Sequence, residues 1–221
     1  MALTVAILLP FSFYIIAKVK KKDQLNMPNY YGILKVDTLT KEGKQQLDTI
    51  YKTVDDLVLT NQMGDTVSLN NDLAGKMLLV EVFFTNCTTI CPILTNNISY
   101  FLHKAFRKND TTVHFVSLTI DPANDSIPIL KAYAQKYKAN PDHWWFLTGD
   151  RNLIYNYLYN DLKLMLKQSG NDTELLEHTP TLVLIDKDRY IRGYYNGLDT
   201  IELKKCADDI GLISMQKRRK K

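Results

Sequence analysis

Residues 77–84 (MLLVEVFF) run directly into Thr85-Asn86-Cys87-Thr88-Thr89-Ile90-Cys91-Pro92, and the fold is read from this junction. The first part is a short, nearly continuous apolar run, the pattern of a strand covered on both faces. Pro92 then opens a helical stripe in which Leu94, Ile98, Phe101, Leu102 and Ala105 share one face. Two cysteines therefore sit where a buried strand hands over to a helix. Free backbone N–H groups and the positive helix end at such a place lower a thiol's pKa and favour thiolate. If the segment turns helically, residues four apart share a face, so both sulfurs can meet one ion or each other. Two thiolates suit Cu(I) or zinc, and imidazole completes either site. A pair of merely buried or disulfide-linked cysteines is the plainer alternative.

Working outward, residues 113–120 (VHFVSLTI) read as the next strand, 127–137 as a helix, 144–147 as a short strand, and a helix follows from about Arg151. Strand 181–185, a turn at Asp186-Lys187-Asp188-Arg189 and strand 190–195 form a closing hairpin. Asp199 with Glu202 three residues on is a capping pair for a last helix, from Thr200 to about Ile213. Upstream, 54–60 and 66–69 flank Asn61-Gln62-Met63-Gly64-Asp65, a hairpin with its turn glycine. Strands alternating with helices predict an α/β sandwich with a mixed central sheet.

The 221 residues are 45% hydrophobic and 24% charged, which excludes wholesale disorder, collagen and coiled coil. Of the 28 basic residues, Lys18, Lys20, Lys21, Lys22 and the tail Lys217-Arg218-Arg219-Lys220-Lys221 account for nine. That leaves 19 against 24 acidic residues, so the body carries about −5 despite a formal total of +4. A nucleic-acid binder needs a basic face on the fold itself, and no nucleic-acid partner is expected. Three cysteines do not make a disulfide scaffold. Cys206, far from the pair, reads as a small buried hydrophobe.

Residues 2–17 (ALTVAILLPFSFYIIA) carry no charge, and Lys18 can snorkel while Val19 extends the run. They predict an uncleaved single-pass transmembrane anchor at 1–19, because neither a basic start nor a small-x-small cleavage site is present. Residues 20–50 read as a juxtamembrane connector with little regular pattern. The lysines after the anchor argue for a cytoplasmic body; a basic leader upstream of Met1 would reconcile them with an outward-facing one.

Of the four histidines, His103, His114 and His143 read as satisfied or solvent-facing side chains. Asp121 follows a strand at its carboxyl end, where α/β sheets place ligands, and equally reads as a turn carboxylate beside Pro122.

The segment Phe83-Phe84-Thr85-Asn86-Cys87-Thr88-Thr89-Ile90-Cys91-Pro92 resembles the C-x-x-x-C-P loop of the Sco/SenC family of copper-binding, thioredoxin-like proteins. Other pieces agree in order: Gly75-Lys76, Thr119-Ile120-Asp121-Pro122-Ala123-Asn124-Asp125, Leu147-Thr148-Gly149 and Glu177-His178-Thr179. The resemblance covers about residues 53–213. It implies a thioredoxin-like copper-binding domain at 51–215 behind the anchor, with 216–221 a basic tail. It further implies a copper metallochaperone for the binuclear centre of cytochrome c oxidase, with Cys87, Cys91 and His178 as ligands to Cu(I) or Cu(II). The expected partner is the copper-bearing oxidase subunit, alongside other copper carriers or thiol reductases. The expected place is a bacterial inner membrane with the domain on the periplasmic or outer face. Pro180 departs from the family pattern, and Thr179-Pro180-Thr181 resembles the proline loop that faces the cysteines in thioredoxin-like reductases. With Asp121, it is a candidate to stand behind the metal ligands and orient them. The alternative function is therefore a thiol–disulfide oxidoreductase, with Cys87 and Cys91 as its redox pair, that keeps a partner's copper-ligand cysteines reduced.

Overall fold

The computed structural model describes residues 27–41, 44–103, 112–164 and 180–216. The anchor 1–19, His178 and the tail 217–221 lie outside the described residues, and among these no helix is long and apolar enough to cross a membrane.

The apolar run forms β5 (Met77–Phe83), whose seven residues are all buried. It lies inside a seven-stranded sheet with β3 (Val58–Asn61), β4 (Thr66–Ser68), β6 (Val113–Thr119), β7 (Trp144–Thr148), β8 (Thr181–Ile185) and β9 (Ile191–Asn196), between β6 and β8. The order is β4-β3-β7-β6-β5-β8-β9. Strands β5, β6 and β7 pair in parallel, while β3, β4, β8 and β9 join antiparallel, so the sheet is mixed as expected.

The helices are α1 (Ile90–Asn97), α2 (Ile127–Lys136), α3 (Arg151–Asn156) and α4 (Thr200–Met215). Helix α1 widens into a π turn over Ile98–His103, and α3 does so over Tyr157–Asp161. Asp150 caps α3 by accepting from the Leu153 N–H at 2.9 Å, and Asp199 caps α4 by accepting from Ile201 at 2.8 Å. Because strand side chains alternate, β5 feeds two cores. Leu79 and Phe83 pack with Phe115, Trp144, Leu94 and Ile210 on one face, and Leu78, Val80 and Val82 pack with Leu69, Leu118, Ile154 and Leu158 on the other. Cys206 on α4 is fully buried in the first core, as a small hydrophobe would be.

One expectation is corrected. The 20–50 connector is not irregular throughout: β1 (Ile33–Lys41) and β2 (Lys44–Tyr51) pair antiparallel as a separate two-stranded sheet. Ile33, Leu34, Val36 and Ile50 are all exposed. With these four side chains turned to solvent, they make no core-facing apolar alternation for a sequence reading to detect.

The chain just before this hairpin is fastened to β9. The Tyr31 N–H donates to the Ile191 carbonyl at 3.0 Å. The buried Arg192 guanidinium donates to the Pro28 and Asn29 carbonyls, pairs with Asp186 at 3.0 Å and lies 4.0 Å from the Tyr30 ring centre. Ile191 is level with Ile185, and Ile185 with Leu78 near the start of β5. This attachment therefore sits at the end of the sheet opposite the cysteine loop.

Candidate metal centre

Cys87 lies in the loop after β5 and Cys91 in the first turn of α1; both are free thiols and both are buried. The helix begins at Ile90, two residues ahead of the Pro92 start that the sequence suggests. Its N-cap, Thr89, makes no side-chain capping bond and the first turn holds no acid. Instead the Cys91 N–H donates to the Cys87 sulfur at 3.3 Å, so the first cysteine takes the capping role. The Cys87 N–H donates in turn to the Phe84 carbonyl at 3.2 Å. Pro92 is tolerated here because first-turn N–H groups lack helical partners.

The two thiols are electrostatically unlike. Burial by itself would raise Cys87, but the bonds from Cys91 and Thr89 outweigh it and bring the thiol down to about 6. Cys91 is pushed far above the ordinary thiol range, first by burial and then by Cys87 and the charge of Glu81. One sulfur is thus a thiolate at neutral pH and the other a thiol.

Glu81 is the group that the sequence reading passed over: the single charged residue in an otherwise apolar run. It is 1% exposed, and its carboxyl accepts from Ser117 Oγ at 2.5 Å and Thr95 Oγ1 at 3.5 Å. Trp144 Nε1 donates to the same Ser117 oxygen at 2.8 Å. Burial pushes Glu81 up to about 8, against the lowering effect of those hydroxyls, so it is mostly neutral at pH 7. Thr95 is one turn beyond Cys91, which places this polar chain under the cysteine end of α1.

Asp121 opens the turn after β6. Its carboxylate accepts from Asn124 at 2.8 and 3.0 Å, and its N–H donates to Thr119 Oγ1 at 3.0 Å. The carboxylate that reaches the cysteine loop is Asp125, four residues on and fully buried. It accepts from the Thr85 N–H at 3.2 Å and from the Thr85 and Thr119 hydroxyls. Two acids in one short loop gave the sequence no means of choosing between them.

Pro180 lies beside α1. Its carbonyl accepts from the Gly197 N–H at 2.8 Å, and the Gly197 carbonyl accepts from Asn97 of α1 at 2.9 Å. A Cβ at Gly197 would come within 2.1 Å of Leu94, three residues after Cys91. Gly197, which bonds the Pro180 carbonyl just ahead of β8, is thereby packed against the helix that carries Cys91. Among the described residues no cis peptide bond occurs, and no three His, Cys, Asp or Glu side chains cluster to hold an ion. Of the other histidines, His103 has no described side chain. His143 gives its carbonyl to Phe115. His114 is buried on β6 with neither nitrogen bonded among the described residues, which corrects the reading of a satisfied or solvent-facing side chain.

A mixed sheet with helices on its faces, and a helix-capping thiolate four residues before a buried thiol, define a dithiol protein of the thioredoxin-like class. Residues 43–210 match the family model described as SCO1/SenC, and the chain belongs to that family. It is 30% identical over 176 residues to the SCO1 protein homolog of Bacillus subtilis (strain 168), covering 79% of this chain and 90% of that relative. A solved structure of BsSco, described as a member of the Sco family of cytochrome c oxidase assembly proteins with a disulfide switch, is 29% identical. It superposes with TM-score 0.64 over 75% of this chain and 95% of its own. ScoI of Bradyrhizobium japonicum, solved with copper bound, shares the fold at 24% identity and TM-score 0.60, over 73% and 99% of the two chains.

Proposed function

We propose that this protein binds copper and supports assembly of the binuclear copper centre of cytochrome c oxidase, from a membrane tether at residues 1–19. The ligands in this reading are Cys87, Cys91 and His178. The observation that carries it is the Cys87 sulfur on the Cys91 N–H at 3.3 Å: one soft donor is already thiolate and a second lies four residues on, the donor set that suits Cu(I). Family membership supports the same assignment, as does the bond from Gly197, which touches Leu94 of α1, to the carbonyl of Pro180, two residues after His178 in the chain. In this reading the copper-bearing oxidase subunit is the partner and the domain faces the periplasm or outer side.

The test is a copper titration of the reduced, detergent-solubilised full chain and of His178→Ala. The wild type should bind one copper per chain. The variant should lose stable Cu(II) binding and its sulfur-to-copper absorption, keep weakened Cu(I) binding, and still form the Cys87–Cys91 disulfide. Unchanged Cu(II) binding by the variant would remove His178 from the ligand set.

The unlike thiols favour a second reading, thiol–disulfide exchange with the partner's copper-ligand cysteines. Such exchange needs one thiolate to attack and one thiol held in reserve. In cells, oxidase assembly by His178→Ala alongside none by Cys87→Ala would select this reading over copper delivery.

A further inference from the structure

Cys87 is not part of a helix or strand, and its sulfur must nevertheless stay over one particular N–H. On the helix side the Cys91 N–H and Thr89 hold the sulfur, and at its own backbone the Cys87 N–H donates to the Phe84 carbonyl. Thr85 stands between Phe84 and the cysteine, and the loop could pivot there. It does not, because both hydrogen-bond donors of Thr85, its N–H and its hydroxyl, are taken by the Asp125 carboxylate. Asp125 is itself held from the other side by the Thr119 hydroxyl at the end of β6.

We propose that Asp125 is a positioning residue for the metal centre, acting through Thr85 to hold the cysteine loop in register with the first turn of α1. The chemistry of the site calls for a carboxylate. Three donors converge on it, it is fully buried, and among the described residues it forms no ion pair. A carboxylate is acceptor-only and satisfies all three, whereas an amide in its place turns its own N–H₂ toward at least one of them. A buried carboxylate without a cation is tolerated only where such bonds compensate its lost hydration. The adjoining Asp121, whose carboxylate is taken by Asn124, does not reach the loop and cannot substitute.

This inference rests on the copper reading of Cys87 and Cys91, and its test is arranged to separate the two. Asp125→Asn, Thr85→Val and Thr85→Ser are prepared in the full chain, with the Asp125→Asn/Thr85→Val double variant. Each is titrated with copper alone, and amide hydrogen exchange is followed on the reduced, metal-free protein. Asp125→Asn and Thr85→Val should each weaken copper binding by about tenfold, the size expected for loss of a group that orients a ligand. The double variant should be no weaker than either single one, because both cut the same link. Thr85→Ser, which keeps the hydroxyl, should bind as the wild type does. Exchange should quicken at residues 85–91 while β5 and β6 stay protected. Unaltered copper binding and loop exchange in Asp125→Asn or Thr85→Val, or effects that multiply in the double variant, would overturn the proposal. Should Asp125→Asn not fold, Thr85→Val decides alone. If the wild type binds no copper the copper reading falls, and hydrogen exchange still decides the role of Asp125.

Discussion

The Cys91 N–H donates to the Cys87 sulfur, so the first cysteine of the pair caps the helix that carries the second. A capping acceptor gains from being charged. Cys87 should therefore be alkylated by iodoacetamide with a midpoint near pH 6, while Cys91 stays unreactive through neutral pH. Mass spectrometry of the labelled peptide checks this; equal labelling of both cysteines, or a midpoint near pH 8–9, would refute it.

Glu81 has a folded pKa near 8 against 4.5 unperturbed. The folded state therefore holds a proton that the unfolded state has released, and stability falls as pH rises from about 4.5 to about 8. By linkage the loss is on the order of 5 kcal/mol when complete. Glu81→Gln keeps the shape without the charge. It should melt above the wild type at pH 8.5 and close to it at pH 5. Parallel melting curves for the two proteins across this range would show that Glu81 titrates normally.

His114 works in the opposite sense. Burial first, then the charges of Lys76 and His143, hold its imidazole down to about 3. The unfolded chain takes up a proton below about 6.5 that the folded chain refuses, so this contribution to stability is lost as pH falls from about 6.5 towards 3. His114→Phe removes the group while keeping a ring against Trp145, which lies 4.4 Å away. Its denaturant-unfolding free energy should depend less on pH between 4 and 6. An unchanged acid slope would mean that the imidazole is protonated in the fold.

Gly197 touches α1 where no Cβ fits. Gly197→Ala should cost about 1–3 kcal/mol, the usual range for overpacking, and weaken copper binding as well, because Leu94 belongs to the cysteine helix. Loss of stability with copper affinity untouched would show that the helix absorbs the shift without moving its first turn.

The strand–loop–helix around the cysteines was legible because burial on both faces writes itself as an unbroken apolar run, and because Asp199 marks its helix by a local side-chain cap. The rest failed for physical reasons. In the β1–β2 hairpin Ile33, Leu34, Val36 and Ile50 face solvent rather than a core, so they make no alternating signal. Helix α1 starts ahead of Pro92 because a sulfur caps it, and capping rules look for oxygen. Glu81 was visible as the one charge within MLLVEVFF, but its partners Ser117, Thr95 and Trp144 come from three other elements. Asp125 differs from Asp121 only in which way its turn faces it, and that is a tertiary outcome.

The fastening of Pro28, Asn29 and Tyr31 to Ile191 and Arg192 at the start of β9 has a consequence for working height. Leu78, level with that attachment, is five residues from Phe83, and at roughly 3.3 Å per residue the strand alone separates the two ends by about 17 Å. In the tethered reading proposed above, the chain leaving residues 1–19 would meet the domain at this pole, while the cysteine loop lies at the opposite one. A partner exchanging copper or electrons with Cys87 would then reach it from the side away from the lipid.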